Sequence, residues 1–397
     1  MIISVPEYVQ VLVDRLNSHS FEAYVVGGCV RDSLLGRIPE DWDICTSAPP
    51  WKTKEALSGF HIWEPGIRHG TVCVLSNGLP VEITTYRCDG PYSDYRRPDS
   101  VTFTSSLQED LRRRDFTINA MAYSKGIGLI DLFHGQQDLD MGIIRCVGNP
   151  QKRFCEDALR ILRALRFSSV LSFTVEDETA KSIIALRNLL EHIAPERILA
   201  EFKKLLCGKS AGVVLKNFHP VFCEIIPELS QISLPVWNTF SDTISTLPPD
   251  FPLRFSVLLQ NSTESANSIL TRLRMDNQTR SSILTFLQLQ SMPPPEKELT
   301  LKHLIYQYGT ESIKSGLLLW RSPAASLLFQ QILEKGSCLS LKQLKITGYD
   351  LKKLGLCGPE IGNMLNQLLF AVMEGAVSNE TIPLKNLAVS LIENHRK

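Results

Sequence analysis

A short strand that ends in two consecutive glycines and leads into a helix is the feature that most restricts the fold of this 397-residue chain. Residues 24–26 form an apolar, valine-rich run, and Gly27 and Gly28 follow it directly before a stretch with helical character. Glycines at such a turn let a phosphate approach the backbone N–H groups, and the start of the helix adds positive potential there. Arg31 could pair with a phosphate through two hydrogen bonds. The segment predicts a phosphate-binding turn or, in the simpler interpretation, a plain turn beside a surface arginine.

The strand and helix patterns divide the chain into two parts. Up to residue 147, runs rich in β-branched residues alternate with helical stretches, which predicts an α/β or α+β domain with a small sheet. Beyond residue 149, strand patterns nearly vanish and helical periodicity takes over. The predicted strands cover 24–26, 42–45, 71–75 and 80–86, and the predicted helices cover 5–17, 30–35, 50–57, 154–167, 180–190 and 195–206. Proline clusters at 248–252 and 293–295 indicate breaks between helical units.

The overall charge gives no sign of a nucleic-acid-binding protein. Forty-two basic residues balance 42 acidic ones, for a formal net charge of +0, whereas such proteins usually carry a basic excess. Basic residues are nevertheless concentrated between positions 112 and 166, beginning with three consecutive arginines. Local patches of this kind can hold phosphates on a neutral molecule.

The cysteines and the N-terminus indicate a cytoplasmic protein. The ten cysteines are scattered without a C-x-x-C pair, so we expect reduced thiols and neither a metal cluster nor a disulfide framework. Glu7 and Asp14 interrupt the apolar residues near the start of the chain, which argues against a secretory signal. No apolar run has the length of a membrane span, so we expect no membrane association.

Two aspartates follow the glycine turn at short spacing. Asp41 and Asp43 flank Trp42, and a strand here would place both carboxylates on one face and Trp42 with Ile44 on the other. Paired carboxylates on a rigid strand suit Mg²⁺, which prefers oxygen ligands and binds through few protein groups plus phosphates. A solvated strand edge is the simpler alternative. Glu82, in an alternating run, is equally compatible with a third active-site carboxylate and with an exposed strand residue.

A charged segment at 113–122 becomes apolar towards its end, which predicts a helix with one buried side. Asp115 near its start is a plausible helix cap. The functional interpretation places Arg114 on the phosphates or sugar of a nucleotide, with Asn119 facing the same site.

A second charged segment, 156–166, carries Asp157, Arg160, Arg163 and Arg166 at intervals of three residues, so that they drift slowly around one face of the predicted helix. An exposed face with weak helical ion pairs explains most patterns of this kind. An Asp and an Arg can, however, read a base without a template. Cytosine and adenine each place an amino donor beside a ring-nitrogen acceptor, which complements the pair, whereas uracil and guanine invert the order and are rejected.

These segments together resemble the class II tRNA nucleotidyltransferases, the bacterial CCA-adding enzyme and poly(A) polymerase family. The order and spacing of four motifs carry the resemblance over about half the chain, with looser likeness in the tail at 348–351 and 358–362. The four motifs are Gly27-Gly28-x-Val30-Arg31-Asp32 with Asp41-x-Asp43, the segment Arg113 to Ala122, Glu156-Asp157-x-x-Arg160, and Glu196-Arg197-Ile198-Leu199-x-Glu201.

The resemblance implies a fold and a reaction. The expected fold is a polymerase-β-like nucleotidyltransferase head with a small mixed sheet, followed by an elongated all-α neck, body and tail. The expected domains are a catalytic head at 1–147, a base-reading neck at 148–207, a body at 208–295 and a tRNA-binding tail at 296–397. The implied activity is template-independent addition of C, C and A to the tRNA 3′ end from CTP and ATP, with release of pyrophosphate and with no protein partner.

The resemblance also implies the site residues. Asp41 and Asp43 would be catalytic and would hold two Mg²⁺ ions. The nucleotide would be bound by Gly28 and Arg31 with Arg114 nearby, by Asp157 and Arg160 as readers of the base, and by Arg163 and Arg166.

The motifs alone leave alternatives to full CCA addition. Residues 89–98 look like the flexible loop of full CCA-adding enzymes, which argues against an enzyme that adds only CC. An A-only enzyme would keep that loop, and poly(A) polymerases share the same head. A catalytically silent RNA-binding relative is disfavoured because Asp41, Asp43, Arg114, Asp157 and Arg160 are all present.

Overall fold

The computed structural model describes residues 2–92, 94–96, 98–262 and 265–396. The chain divides into two compact units. The first comprises Met1–Arg254 with Asn267–Met275, and the second comprises Phe255–Ala266 with Asp276–Lys397. The boundaries predicted at 147, 207 and 295 are finer than this division and stay a proposal.

A seven-stranded mixed sheet organises the start of the first unit, in the order β3-β4-β5-β2-β1-β8-β9. Strand β1 is antiparallel to both β2 and β8, whereas β2 and β5 run parallel. The strands are β1 Ala23–Val26, β2 Asp43–Thr46, β3 His61–Gly66, β4 Thr71–Ser76, β5 Leu79–Thr85, β6 Arg87–Asp89, β7 Val101–Phe103, β8 Met121–Ser124, β9 Gly128–Asp131, β10 Ile143–Ile144 and β11 Thr174–Val175. All four residues of β1 are buried, as expected for a central strand covered on both faces.

Helices dominate the chain from residue 150 onward, and further helices lie among the strands before that residue. They are α1 Glu7–Ser18, α2 Gly28–Leu34, α3 Pro50–Ala56, α4 Leu107–Arg112, α5 Gly135–Met141, α6 Pro150–Glu156, α7 Leu159–Leu171, α8 Asp177–Ala185, α9 Pro195–Leu206, α10 Ala211–Asn217, α11 His219–Ile225, α12 Leu234–Thr246, α13 Phe251–Leu259, α14 Ala266–Arg272, α15 Asn277–Ser291, α16 Glu298–Tyr308, α17 Thr310–Trp320, α18 Pro323–Glu334, α19 Gly348–Lys353, α20 Pro359–Met373 and α21 Thr381–Arg396. A mixed α/β head followed by helices is the predicted fold class. Within the described part of the chain, no helix is both long and apolar enough to cross a membrane.

Each unit has its own apolar core. Under the sheet, the buried set includes Tyr24 and Val26 of β1 together with Leu111 of α4. In the second unit, Leu351, Leu368 and other buried residues of α19, α20 and α21 pack together. The head core draws on strands and a helix that are far apart in the sequence, so it depends on the sheet forming.

The prediction of a helix over 113–122 is wrong. Residues 117–119 form a single 3₁₀ turn, and Met121 already belongs to strand β8. Strand β8 pairs with β1, with Tyr123 opposite Val25. The apolar residues at the end of the segment are buried because a strand lies beside them, and a local pattern does not reveal such a partner.

The prediction of one continuous helix over 154–167 is also wrong. Helix α6 ends at Glu156, and Asp157 has an extended backbone with φ −139° and ψ 105°. The Asp157 carboxylate then accepts a hydrogen bond of 3.1 Å from the Leu159 N–H at the start of α7. An aspartate readily accepts a hydrogen bond from the N–H two residues further on, which favours a turn over a helical interior. Asp157 therefore does not share a helical face with the three arginines of α7.

Candidate functional site

The predicted strand–glycine–helix segment is confirmed. Strand β1 ends at Val26, Gly27 has a φ of +85°, and helix α2 begins at Gly28. A β-carbon at Gly27 would lie 3.2 Å from Nη1 of Arg114. Both the positive φ and this close approach favour glycine, so the turn brings backbone and guanidinium together at one point.

Arg31 on α2 is buried and already bonded within the protein. Its Nε and Nη2 donate to the Asp32 carboxylate at 2.9 and 2.8 Å, and its Nη1 donates to Oδ1 of Asn119 at 2.7 Å. Asn119 in turn donates to the Asp115 carboxylate at 3.2 Å. Arg31 therefore belongs to a buried network that connects α2 to the segment around Asp115.

Asp41 and Asp43 lie on the same side of the chain, as predicted, although the strand itself begins only at Asp43. Trp42 and Ile44 are buried at 5% and 1% exposure, while both aspartates are exposed. Asp43 opens onto a cleft but is largely surrounded by protein. This burial, together with the negative charges of Glu82 and Asp41, raises the pKa of Asp43 to about 6 against the opposing effect of Arg114.

Glu82 lies beside Asp43 on the sheet. The two residues are direct partners in the parallel pair of β2 and β5, so their side chains point to the same face. Both line a cavity of about 230 Å³ with Arg113 and Arg114. Among the described residues, however, no three His, Cys, Asp or Glu side chains form a ready group of metal ligands.

A larger cleft of about 870 Å³ collects most of the predicted site residues. The predicted residues that line it are Gly28, Arg31, Asp41, Asp43, Arg114, Arg163 and Arg166. Asp115, Phe167 and the exposed Lys204 line it as well. The cleft thus combines two carboxylates, a glycine turn and several guanidinium groups.

Arg163 and Arg166 of α7 are each held by a carboxylate. Arg163 donates to Oδ2 of Asp115 through Nε at 2.8 Å and Nη2 at 2.6 Å. Arg166 pairs with Glu201 of α9 at 2.8 Å. Burial alone would raise the pKa of Asp115, but Arg163 and then Arg160 outweigh it, so this pKa lies below its ordinary value. Asp115 is therefore a charged anchor and not the helix cap that was predicted.

The structure does not bring Asp157 and Arg160 into the lining of the large cleft. Asp157 accepts a 3.2 Å hydrogen bond from Nη2 of Arg197. Arg160 donates to Oε2 of Glu156 at 2.7 Å and to the carbonyl oxygens of Arg153 and Arg113, both at 3.1 Å. Both predicted base-reading side chains are thus fixed by bonds inside the protein.

The loop at 89–98 contacts the segment that carries Asp157. The Tyr95 ring stacks on His192 with a centroid distance of 4.9 Å and an interplanar angle of 9°. The Ala158 N–H donates to the Tyr95 carbonyl at 3.1 Å. At the base of the loop, Tyr92 donates to Asp89 at 2.8 Å. Ser93 and Arg97 of this loop lie outside the described residues.

Known proteins match the chain along almost its whole length. Residues 23–145 match the family model of the poly A polymerase head domain, 172–219 match a model of an RNA- and SrmB-binding site of polymerase A, and 253–388 match a tRNA nucleotidyltransferase domain 2 model. The CCA-adding enzyme of Leuconostoc mesenteroides is 35% identical over 403 residues, which cover 97% of this chain and 96% of that protein. The chain belongs to the CCA-adding enzyme family. The CCA-adding enzyme of Lactobacillus delbrueckii subsp. bulgaricus is 38% identical, with 93% of each chain covered.

Solved structures of the CCA-adding enzyme family agree with the fold. The crystal structure of the Bacillus stearothermophilus CCA-adding enzyme in complex with CTP has a TM-score of 0.77 at 29% identity, covering 99% of this chain and 98% of that one. The Thermotoga maritima CCA-adding enzyme complexed with tRNA has a TM-score of 0.69 at 24% identity, covering 98% and 96%. The predicted family, the polymerase-type head and the assignment as a tRNA nucleotidyltransferase are confirmed.

One buried carboxylate beside the arginines of this CCA-adding family member was not predicted from the sequence. Asp110 of α4 is fully buried and binds Arg113 at 2.7 Å and Arg114 at 3.2 Å. Burial raises its pKa, but Arg114 and Arg113 outweigh this effect, so its pKa lies below the ordinary value. The spacing of three and four residues from Asp110 to the two arginines was the available signal.

Proposed function

We propose that this protein completes tRNA 3′ ends by ordered addition of C, C and A, through in-line attack of the tRNA 3′-hydroxyl on the α-phosphorus of CTP or ATP. The observation that carries the proposal is the single cleft that holds Asp41, Asp43, the Gly27–Gly28 turn and the arginines. Solved structures of CCA-adding enzymes include complexes with CTP and with tRNA, and we extend those ligands to this chain.

Asp41 and Asp43 would hold Mg²⁺. The donor atoms are carboxylate oxygens, and Asp43 has a raised pKa because protein and further negative charge surround it, which suits a divalent cation. When bound, two such ions would activate the 3′-hydroxyl and stabilise the departing pyrophosphate. Glu82, the direct partner of Asp43 in the parallel pair, would contribute a third carboxylate.

The triphosphate would lie against the glycine turn and the guanidinium groups. Backbone N–H groups at the start of α2 face this position, and Arg114 lies beside the turn. Arg163 and Arg166 line the same cleft and are oriented by Asp115 and Glu201. Guanidinium groups fixed in advance bind phosphate oxygens with little reorganisation.

Asp157 and Arg160 would select the base. Glu156 orients Arg160 and Arg197 orients Asp157, so the donor and the acceptor have defined directions before a nucleotide arrives. Since neither side chain lines the large cleft, we infer that nucleotide entry includes a movement of the segment around Asp157 or of the loop that contacts it. The cytoplasmic location stays a prediction from the cysteine pattern.

The test is incorporation into three tRNA transcripts that end before CCA, after C and after CC. CTP and ATP are supplied separately and together with Mg²⁺, and UTP and GTP serve as controls. Ordered addition that stops at CCA on all three transcripts is the expected result. Unlimited A addition to any RNA would instead identify a poly(A) polymerase, and A addition to the CC-ended transcript alone would identify an A-only enzyme. No incorporation at all would support a silent RNA-binding protein.

A further inference from the structure

Three guanidinium groups surround one aromatic ring in the cleft. The Cζ atoms of Arg166, Arg31 and Arg163 lie 4.2, 4.9 and 5.6 Å from the centroid of Phe167. The ring is 7% exposed and forms part of the lining of the 870 Å³ cleft. All three distances are within the range in which a cation is attracted to an aromatic ring.

The three arginines come from different places in the sequence. Arg31 belongs to α2 in the head, whereas Arg163 and Arg166 belong to α7, four residues and one residue before Phe167. Each guanidinium also has its own carboxylate, from Asp32, Asp115 or Glu201. Those carboxylates lie on three separate segments, while the ring of Phe167 contacts all three cations. Phe167 is therefore the shared contact of the cluster.

Like charges this close together repel one another, and the repulsion strengthens where protein replaces water around them. Each of the three carboxylates compensates the charge of only one of these arginines. An aromatic ring attracts cations through its quadrupole and presents an apolar surface on which flat guanidinium groups can rest. The ring can thus keep three guanidinium groups close together and facing the cleft before any anion is bound.

We propose that Phe167 is a positioning residue for polyphosphate binding, because its ring holds Arg31, Arg163 and Arg166 in the arrangement that receives the nucleotide triphosphate. The inference rests on the proposed function. The alternative is a purely structural role, in which the Phe167 ring only packs in the core through its edge-to-face contact with Phe116 at 5.8 Å. A structural role predicts a loss of stability, whereas a positioning role predicts a specific loss of affinity for phosphates.

The experiment compares Phe167→Leu with Phe167→Tyr. Leucine keeps an apolar side chain without a π-face, and tyrosine restores the aromatic face. For Phe167→Leu we expect the KM for CTP and for ATP to rise about 10-fold, equivalent to about 1.4 kcal/mol, with kcat changed by less than about 3-fold. For Phe167→Tyr we expect both KM values to stay within about 2-fold of the wild type.

Calorimetric titration with inorganic pyrophosphate measures the phosphate affinity of the same arginine cluster without turnover. We expect binding about 10-fold weaker in Phe167→Leu and near wild type in Phe167→Tyr, and CMP binding that changes little in either variant. The control is Phe222→Leu. Phe222 is a fully buried phenylalanine that stacks on Phe202 at 5.7 Å and contacts Trp237 at 6.1 Å. The Phe222→Leu variant should have a lower melting temperature than the wild type without a higher KM for CTP.

Three results would overturn the inference: unchanged KM and pyrophosphate affinity in Phe167→Leu, a tyrosine variant as impaired as the leucine variant, or an equal KM increase in Phe222→Leu. Failure of the proposed function looks different, because the wild type itself would not extend tRNA. The pyrophosphate titration still decides the role of Phe167 in that case.

Discussion

At the scale of single residues, Asp43 lies at the start of strand β2, where negative charge accumulates. Glu82 is its direct partner on β5, Asp41 is two residues away, and Arg114 compensates only in part. Because the pKa of Asp43 is raised to about 6, ionisation of this carboxylate costs the folded state free energy that a bound cation would return.

Replacing Asp43 by asparagine should therefore stabilise the metal-free protein at neutral pH while abolishing incorporation. The folded pKa of about 6 lies above the ordinary value of 3.8, so the wild type loses stability as the pH rises from 3.8 through about 6. We expect the Asp43→Asn variant to melt at a higher temperature at pH 7.5, and the difference to vanish below pH 3.8. Mg²⁺ should raise the melting temperature of the wild type only.

The matched control for that measurement is Asp140→Asn, at an exposed aspartate outside the cleft. It should leave both the pH profile of melting and the incorporation rate unchanged. A lower melting temperature of Asp43→Asn at pH 7.5, or normal activity of this variant, would remove Asp43 from the proposed metal site.

Replacing Arg160 by alanine should relax the choice of nucleotide. Arg160 is the proposed donor to the ring nitrogen of cytosine or adenine, and Glu156 orients it at 2.7 Å. We expect incorporation of UTP or GTP relative to CTP to rise about 100-fold, since discrimination rests on leaving buried polar groups unpaired. Competition assays on the transcript that ends before CCA provide the ratio.

The control for this change is Arg187→Ala, which removes an arginine paired with Glu224 at 3.0 Å outside the cleft. Its selectivity should equal that of the wild type. Unchanged rejection of UTP by Arg160→Ala would show that Arg160 does not read the base.

At the scale of elements, the loop at 89–98 touches the break between α6 and α7. Tyr95 stacks on His192 and accepts a hydrogen bond from Ala158, the residue after Asp157. Deleting residues 94–96 should spare addition of CC and stop addition of A, because the loop would no longer reach the segment around Asp157 that is proposed to read the base. The measurement is ATP incorporation into the CC-ended transcript.

A variant with glycines at 94–96 keeps the loop length and separates reach from side-chain contact. We expect it to retain part of the A addition, with CC addition normal in both variants. Complete CCA synthesis by the deletion variant would refute a role of the loop in the switch from CTP to ATP.

The local sequence pattern predicts best those elements whose ends are marked by glycine or proline. Glycines mark the start of α2, and a proline marks the start of α9, which spans Pro195–Leu206 as predicted. Strand β8 could not be recognised because its identity depends on pairing with β1, about 97 residues earlier in the sequence. The break at Asp157 is accompanied by a side-chain hydrogen bond to the Leu159 N–H and by the bond from Ala158 to Tyr95, and helical periodicity alone does not reveal it.

The site residues, like the secondary-structure elements, could be predicted only where the signal is local in the sequence. Gly28, Asp41 and Asp43 could be proposed because their chemistry is concentrated within a short spacing in the sequence. The link between Asp115 and Arg163 spans 48 residues and became visible only in the structure. For the same reason the convergence of Arg31 and α7 on Phe167 could not be predicted from either segment alone.

At the scale of the whole molecule, neutrality and a polyanionic substrate are compatible because the charge is arranged locally. The formal net charge is +0, yet five arginines line the cleft of the first unit: Arg31, Arg37, Arg114, Arg163 and Arg166. Four of them, Arg31, Arg114, Arg163 and Arg166, each have a carboxylate within 4 Å. Cationic binding groups balanced by nearby acids leave the molecule neutral and still present donors to phosphate.

All residues that line the cleft of about 870 Å³ belong to the first compact unit, so under the proposed function the second unit should be dispensable for nucleotide affinity. Leu368 is fully buried in the core of the second unit. We expect Leu368→Ala to destabilise that unit by about 2–5 kcal/mol, while calorimetry gives a CTP affinity within about 2-fold of the wild type. If the predicted tail contacts hold, tRNA affinity falls in the same variant.

The counterpart is Leu162→Ala, in the buried side of α7, which should weaken CTP binding because α7 carries Arg163 and Arg166. Equal losses of CTP affinity in both variants would mean that nucleotide binding requires both units to be intact.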